Sequence, residues 1–291
     1  MKECSGWPSP VKEHTHLRDM WFLQRHAEHH LMSIVAFERY GWPTVEYSGE
    51  TPVAIVVYLR GGEDAVDPGW EHYVPLIRAA EALRIPATLI VWNIAPEQWT
   101  FRVVPLTPEG SAYFGGRRLM SELELNEVLH RVRGILQTPA YATYLERRLR
   151  EGPQGHTGDL RRSRWNFPHQ PISNRHRLWC GDFRVVDVDY LLTAMGGKHP
   201  FILVEYTQDQ AREDRGAGPG EMVLAQLADV LDIPAILVRH TKDVVPKDRT
   251  FFVWTMNTRA AALGLPDRIE GEDAWFATLQ DTAHALARSG R

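Results

Sequence analysis

The sequence predicts an α/β protein built twice over. Three observations carry that prediction. Two stretches 148 positions apart match without a gap, each sets a β-rich apolar run ahead of a segment with helical periodicity, and each of those segments stops at an Ile-Pro pair before a new apolar run begins.

The repeat fixes the organisation of everything else. Shifting the 291-residue chain against itself by 148 lays TPVAIVVYLRG (51–61) on HPFILVEYTQD (199–209), matching Pro52 with Pro200, Val56 with Val204 and Tyr58 with Tyr206. The same shift lays LIRAAEALRIPATLIVWN (76–93) on LAQLADVLDIPAILVRHT (224–241), and with slight slippage TFRVVPLTPEGSA falls on TFFVWTMNTRAAA. Short apolar runs match by chance; a match continuing through strand, loop, helix and strand marks a duplication.

Each element follows from its residues. Residues 52–59 and 201–207 are rich in β-branched and aromatic side chains and read as strands. Met222, Leu224, Leu227, Val230 and Leu231 recur at helical spacing in the second copy. Ile85-Pro86 and Ile233-Pro234 end the helices, because a residue before proline is pushed out of the α region. ATLIVW and AILVRH follow at once, then RVVPL and FFVWTM. Strand, helix, strand with both strand faces apolar implies a parallel pair covered by helices on both sides. The expected division is a first domain over 1–138, an arginine-rich connector over 139–173 and a second domain over 174–291, the pair forming an internal pseudo-dimer.

Ahead of the first copy, residues 17–37 read as one helix with Met20, Leu23, Ala27, Leu31, Ile34 and Val35 as its core stripe. His26, His29 and His30 have the spacing of metal ligands on a helix face. Without a further ligand of known position, surface histidines are the expectation.

Composition excludes several classes. Hydrophobic residues at 44% and charged residues at 24% are those of a globular protein. The opening MKECSGWPSPVKEHTH has no apolar run of signal-peptide length, and no later stretch reaches bilayer length, so the expectation is a cytoplasmic protein without membrane contact. Cys4 and Cys180 are too few for a disulfide framework or a zinc site of their own. The net charge of −4 is unevenly spread: residues 147–177 hold eight arginines against Glu151 and Asp159, leaving the rest of the chain strongly acidic. Trp165 and Phe167 lie among those arginines. Arg161, Arg162, Arg164, Trp165, Arg175 and Arg177 are therefore the candidate nucleic-acid contacts, pairing phosphate binding with base stacking.

The acids point to the chemistry. Side chains alternate along a strand, so in VVDVDYLL Asp187 and Asp189 share a face, as do Glu205 and Thr207 in FILVEYT. If 184–192 pairs as a hairpin with 201–207, Asp189 and Glu205 come within reach of one ion. Carboxylates plus water suit Mg2+ or Mn2+. RHRLWCGDFRVVDVDYLL, FILVEYTQ and LAQLADVLDIPAILVRH together resemble the core of the PD-(D/E)XK nuclease superfamily: a helix, a hairpin carrying Asp and Glu-X-Lys, a second helix and a further strand. The likeness runs from about Arg175 to Asn257, in the manner of nuclease-like proteins of phages and prophages.

The resemblance implies restriction-endonuclease-like domains with mixed sheets flanked by helices. It implies Asp189 and Glu205 as metal ligands, Asp187 as an auxiliary acid and Gln226 as a polar helix residue facing the site. Thr207 stands where the family keeps the lysine that orients water and offsets charge on the phosphorane, and a hydroxyl cannot supply that charge. After Lys12 the only lysines are Lys198, Lys242 and Lys247, none an obvious replacement. In the first copy Val57 and Leu59 replace Glu205 and Thr207, so that copy carries no site of this kind; Glu46 reads as a solvated strand-end residue. The function expected is nucleic-acid binding, DNA above all, with metal-dependent phosphodiester hydrolysis if the lysine is replaced. The alternative is an inactive pseudo-nuclease serving as a scaffold in a phage or defence assembly. Further protein partners or self-association stay open.

Overall fold

The structure, a computed structural model, describes residues 22, 24–33, 41–61, 73–94, 99–134, 184–194, 199–207, 218–241 and 248–288, with isolated positions at 139, 143 and 147. The first repeat runs β1 (Leu31–Ser33), β2 (Trp42–Ser48), β3 (Thr51–Arg60), α1 (Val74–Leu83), β4 (Ala87–Ile94), β5 (Trp99–Pro105), α2 (Pro108–Phe114), β6 (Arg118–Ser121) and α3 (Glu122–Val132). The second runs β7 (Arg184–Asp187), β8 (Tyr190–Ala194), β9 (Ile202–Thr207), α4 (Pro219–Val230), β10 (Ala235–His240), β11 (Thr250–Thr255), α5 (Thr258–Ala261), β12 (Arg268–Glu270) and α6 (Glu272–Arg288). The order of strands and helices is the same in both.

So is the sheet. Sheet A has the order β1-β8-β9-β10-β11-β12 and sheet B the order β7-β2-β3-β4-β5-β6. Position for position the directions agree: only β9 with β10, and β3 with β4, are parallel, while every other neighbouring pair is antiparallel. Each sheet is mixed and flanked by helices.

Local solutions are repeated too. Both crossover helices end on a left-handed residue, Arg84 (φ 55°) and Asp232 (φ 63°), one place before the Ile-Pro pair. The next amide closes the same bond in each, Ile85 N to Ala80 O and Ile233 N to Ala228 O, both 3.0 Å. That bond satisfies a carbonyl orphaned at the helix end, so the left-handed turn ends the helix and the proline keeps the following chain extended. Thr107 and Asn257 do one job in two copies. Each side-chain oxygen accepts from its own helix (Gly110 N, 3.1 Å; Ala260 N, 3.0 Å) and from the first amide of the neighbouring strand (Ala87 N and Ala235 N, both 3.1 Å). Cap and strand are thereby pinned together.

The division of the chain does not follow its linear halves. One unit is Phe37–Val188; the other joins Met1–Ala36 to Asp189–Arg291. The cause is a reciprocal exchange of leading strands. β1 opens the first repeat yet pairs with β8, Leu31 opposite Ala194, and β7 opens the second repeat yet pairs with β2, Thr44 opposite Asp187. A boundary at 138 or 174 therefore cuts neither unit where it ends.

Three sequence expectations are corrected here. Residues 184–192 are not one strand of a hairpin: the ladder breaks at Val188 and Asp189, and the two parts join different sheets. The helix expected over 17–37 gives way at His30, which takes a left-handed conformation (φ 57°), and Leu31–Ser33 is a strand. His26 is wholly buried rather than exposed. Its face of the helix, with Phe22, packs into a core of Tyr190, Leu192, Ile202, Val204, Tyr206, Ile236, Val238, Phe251, Trp275, Phe276 and Leu279.

In the Phe37–Val188 unit the core is Trp42, Val56, Tyr58, Ile90, Trp92, Phe101, Phe114 and Leu125 with their neighbours. Glu46, expected to be solvated, is fully buried there. It pairs with Arg133 just beyond α3 and accepts from the Tyr58 hydroxyl at 3.5 Å. A buried carboxylate persists only when paired in this way.

Candidate functional site

The face of sheet A that carries Glu205 is set by strand alternation, and Leu191, Leu203 and Leu237 are buried on it beside the polar residues. Ile202, Val204 and Tyr206 of β9 point into the core described above, so Leu203, Glu205 and Thr207 point to the opposite face. Tyr190 lies opposite Val204 and Leu191 opposite Leu203, and Asp189 stands just ahead of β8, where that ladder ends. Alternation along β9 therefore puts Glu205 and Thr207 on one face.

Asp189 has a structural task as well. Only 8% of it is exposed, and its Oδ2 accepts the backbone N–H of Tyr206 at 3.1 Å. The carboxylate thereby caps the ladder at the point where β7 has departed for sheet B. Glu205 is partly exposed, with its Oε2 shielded from solvent.

The other sequence candidates fall elsewhere. Asp187 lies on β7 in sheet B, opposite Thr44, so the shared face expected for Asp187 and Asp189 is lost with the strand break. Gln226 lies half-buried on α4, one turn from the buried Val223 and from the exposed Met222 and Val230. Arg161, Arg162, Arg164, Trp165, Arg175 and Arg177 lie outside the described residues.

One residue of this face escaped the sequence reading. β10 runs parallel to β9 with Leu237 beside Glu205 and Arg239 beside Thr207. Val238 points into the core, so Arg239 shares the face of the acids. It is 7% exposed, and its guanidinium carbon sits 4.8 Å from the centre of the Trp254 ring on β11. A cation held flat on an indole keeps its direction. The signal was the lone charged residue in AILVRH, two places after Leu237 and therefore on Leu237's face.

Behind the site strand lies a buried polar chain. Trp275 Nε1 donates to the Tyr206 hydroxyl at 2.9 Å, and that oxygen lies 3.0 Å from His26 Nε2. Which of the two gives the proton is set by the tautomer of the ring. Burial, helped by nearby His29, pushes His26 down from 6.5 to about 3, so it is neutral at ordinary pH. Burial also raises the Tyr206 phenol well above its usual range, the charges of Asp189 and Glu272 adding to the effect.

Carboxylates suit Mg2+ or Mn2+, which take one or two of them and keep several waters. The donor set at Asp189 and Glu205 fits such an ion. Among the described residues no group of three or more His, Cys, Asp or Glu side chains is arranged to hold a metal. Nor is any described helix long and apolar enough to cross a membrane.

The fold and this face define a class: a duplicated α/β protein in which one of two like sheets carries a cluster of acids and a cation. Comparison with protein-family models gave no match, and neither curated proteins nor solved structures gave a significant one.

Proposed function

We propose that the chain is a nucleic-acid-binding protein of the PD-(D/E)XK nuclease-like class, acting through the polar face of sheet A. Asp189 and Glu205 are its ligands for Mg2+ or Mn2+. The observation that carries this reading is the β8–β9 hairpin, with Glu205 on β9 and Asp189 just ahead of β8 bonded to the Tyr206 N–H, followed by a helix and a parallel strand. That is the order of elements in the family core that the sequence resembles. When bound, such an ion supplies an activated water and neutralises charge on a phosphodiester. The chain's own residues orient it: Glu205 presents a carboxylate from the middle of a fixed strand, and the Tyr206 N–H holds one oxygen of Asp189.

A second reading has an observation in its favour. Because Asp189 Oδ2 is already engaged by a backbone amide, and Thr207 brings no charge, an inactive pseudo-nuclease serving as a scaffold in a phage or defence assembly accounts for the same residues.

Single-turnover digestion of DNA and RNA with Mg2+ and Mn2+ separates the two. The first reading expects cleavage that Asp189→Asn and Glu205→Gln abolish. Robust cleavage that survives Glu205→Gln places the chemistry elsewhere, and the absence of both cleavage and nucleic-acid binding leaves the scaffold. For the connector, alanine at Arg161, Arg162 and Arg164 is expected to flatten the salt dependence of binding. An unchanged slope assigns that segment to a plain linker.

A further inference from the structure

We propose that Arg239 supplies, from the neighbouring strand, the fixed cation that the hairpin lacks at Thr207, and that its ligand is a phosphate oxygen of a bound nucleic acid. This deepens the reading above and rests on it.

The placement comes from register. Thr207 and Arg239 are partners in the parallel pair β9/β10, side by side on the same face, with Glu205 one step back along β9. The two side chains therefore leave the sheet side by side, with the guanidinium lying over Trp254 of β11, the strand on the far side of β10. Both residues lie toward the carboxyl ends of their strands, the end at which open α/β sheets bind ligands. Trp254 fixes the direction of the guanidinium, so little rotamer freedom is left to lose on binding. A planar fork of N–H donors suits two oxygens of one phosphate better than an ammonium does.

The other repeat shows that the fold does not require these charges. At the equivalent positions of sheet B, Leu59 lies beside Val91 and Val57 beside Leu89, while the residue opposite Val57 is Pro43. Asp189, Glu205, Thr207 and Arg239 thus answer to Pro43, Val57, Leu59 and Val91. The same strands close in the same order with the whole set apolar. Arg239 goes with the acids, present where they are present and replaced where they are replaced. The competing account is that Arg239 only balances Glu205 within the face.

The test is read without metal. Affinity for a fluorescently labelled DNA is measured in EDTA across a salt series for wild type, Arg239→Met, Arg239→Lys, Thr207→Lys/Arg239→Met and Arg239→Met/Glu205→Gln. We expect Arg239→Met to weaken binding about tenfold and to make the slope of log K against log salt shallower by about 0.7–0.9, the signature of one lost phosphate contact. Arg239→Lys keeps part of both, and Thr207→Lys/Arg239→Met restores them by returning a cation to the same place from β9. Wild-type affinity and slope in Arg239→Met overturn the proposal. So does full recovery in Arg239→Met/Glu205→Gln, which assigns the arginine to charge balance alone. If Arg239→Met does not fold, the two double variants decide between those accounts. Wild type that binds no nucleic acid at any salt removes the underlying reading instead, whatever the Arg239 variants do.

Discussion

The Asp189 carboxylate accepts the backbone N–H of Tyr206 at 3.1 Å, so one side chain both ends a strand ladder and brings a charge to the strand that carries Glu205. The two roles separate by substitution. Asp189→Ala leaves a buried amide without its acceptor and is expected to destabilise the unit by about 1–3 kcal/mol. Asp189→Asn keeps a side-chain acceptor while removing the charge, and is expected to hold most of the stability. Chemical denaturation of the two variants checks this; equal loss in both would show that the charge, not the hydrogen bond, holds the ladder end.

Phe22 couples the beginning of the chain to the unit formed mainly by its end. Its ring stacks on Tyr206 with centroids 4.2 Å apart and is fully buried. Phe22→Ala is expected to cost about 3–5 kcal/mol. Hydrogen exchange should quicken in β8–β11 and α6 while β2–β5 keep their protection. Faster exchange confined to β2–β5 would contradict the strand exchange on which this rests.

His26 gives the same unit a pH dependence. Its folded pKa, about 3, lies below the 6.5 of the free side chain, so between those values the unfolded chain binds a proton that the folded chain refuses. Its contribution is complete above about pH 6.5 and is lost as pH falls toward 3, approaching about 1.4 kcal/mol for each pH unit. His26→Gln, which keeps a hydrogen-bonding group beside the Tyr206 hydroxyl and does not titrate, is expected to show a shallower fall between pH 6.5 and 4. Parallel curves for the two proteins would count against a neutral buried His26.

Glu46 and Arg133 form an ion pair with both side chains almost wholly buried. Glu46→Ala is expected to destabilise the Phe37–Val188 unit by about 3–5 kcal/mol, because an uncompensated guanidinium stays behind. Glu46→Met/Arg133→Met should recover most of that loss. Equal destabilisation by the single and the double variant, measured by thermal unfolding, would show that volume rather than charge decides.

Much of this architecture was legible in the sequence. The offset of 148 carries the repeated strand, helix, strand unit, because burial on both strand faces and the Ile-Pro stops constrain those residues locally. What escaped depends on partners distant in sequence. Nothing around Val188 marks the point where the chain leaves sheet B for sheet A, since both parts of 184–192 satisfy the same alternation. Glu46 and His26 looked solvated because a polar residue in a short amphipathic stretch gives no sign of a partner 87 or 180 residues away. The shared face of Glu205 and Thr207 was readable because alternation along one strand is local. Arg239 was not, because its place beside Thr207 depends on the register of a parallel crossover.

The central claim is that the polar face of sheet A is a cation and phosphate site while its counterpart in sheet B is not. Mn2+ titration of the intact chain, followed by electron paramagnetic resonance, tests it most directly. The account predicts one site in wild type that Glu205→Gln and Asp189→Asn abolish, with both variants folded and with no second site in the other unit. No bound Mn2+ in wild type, or binding that is unchanged in Glu205→Gln, would contradict it.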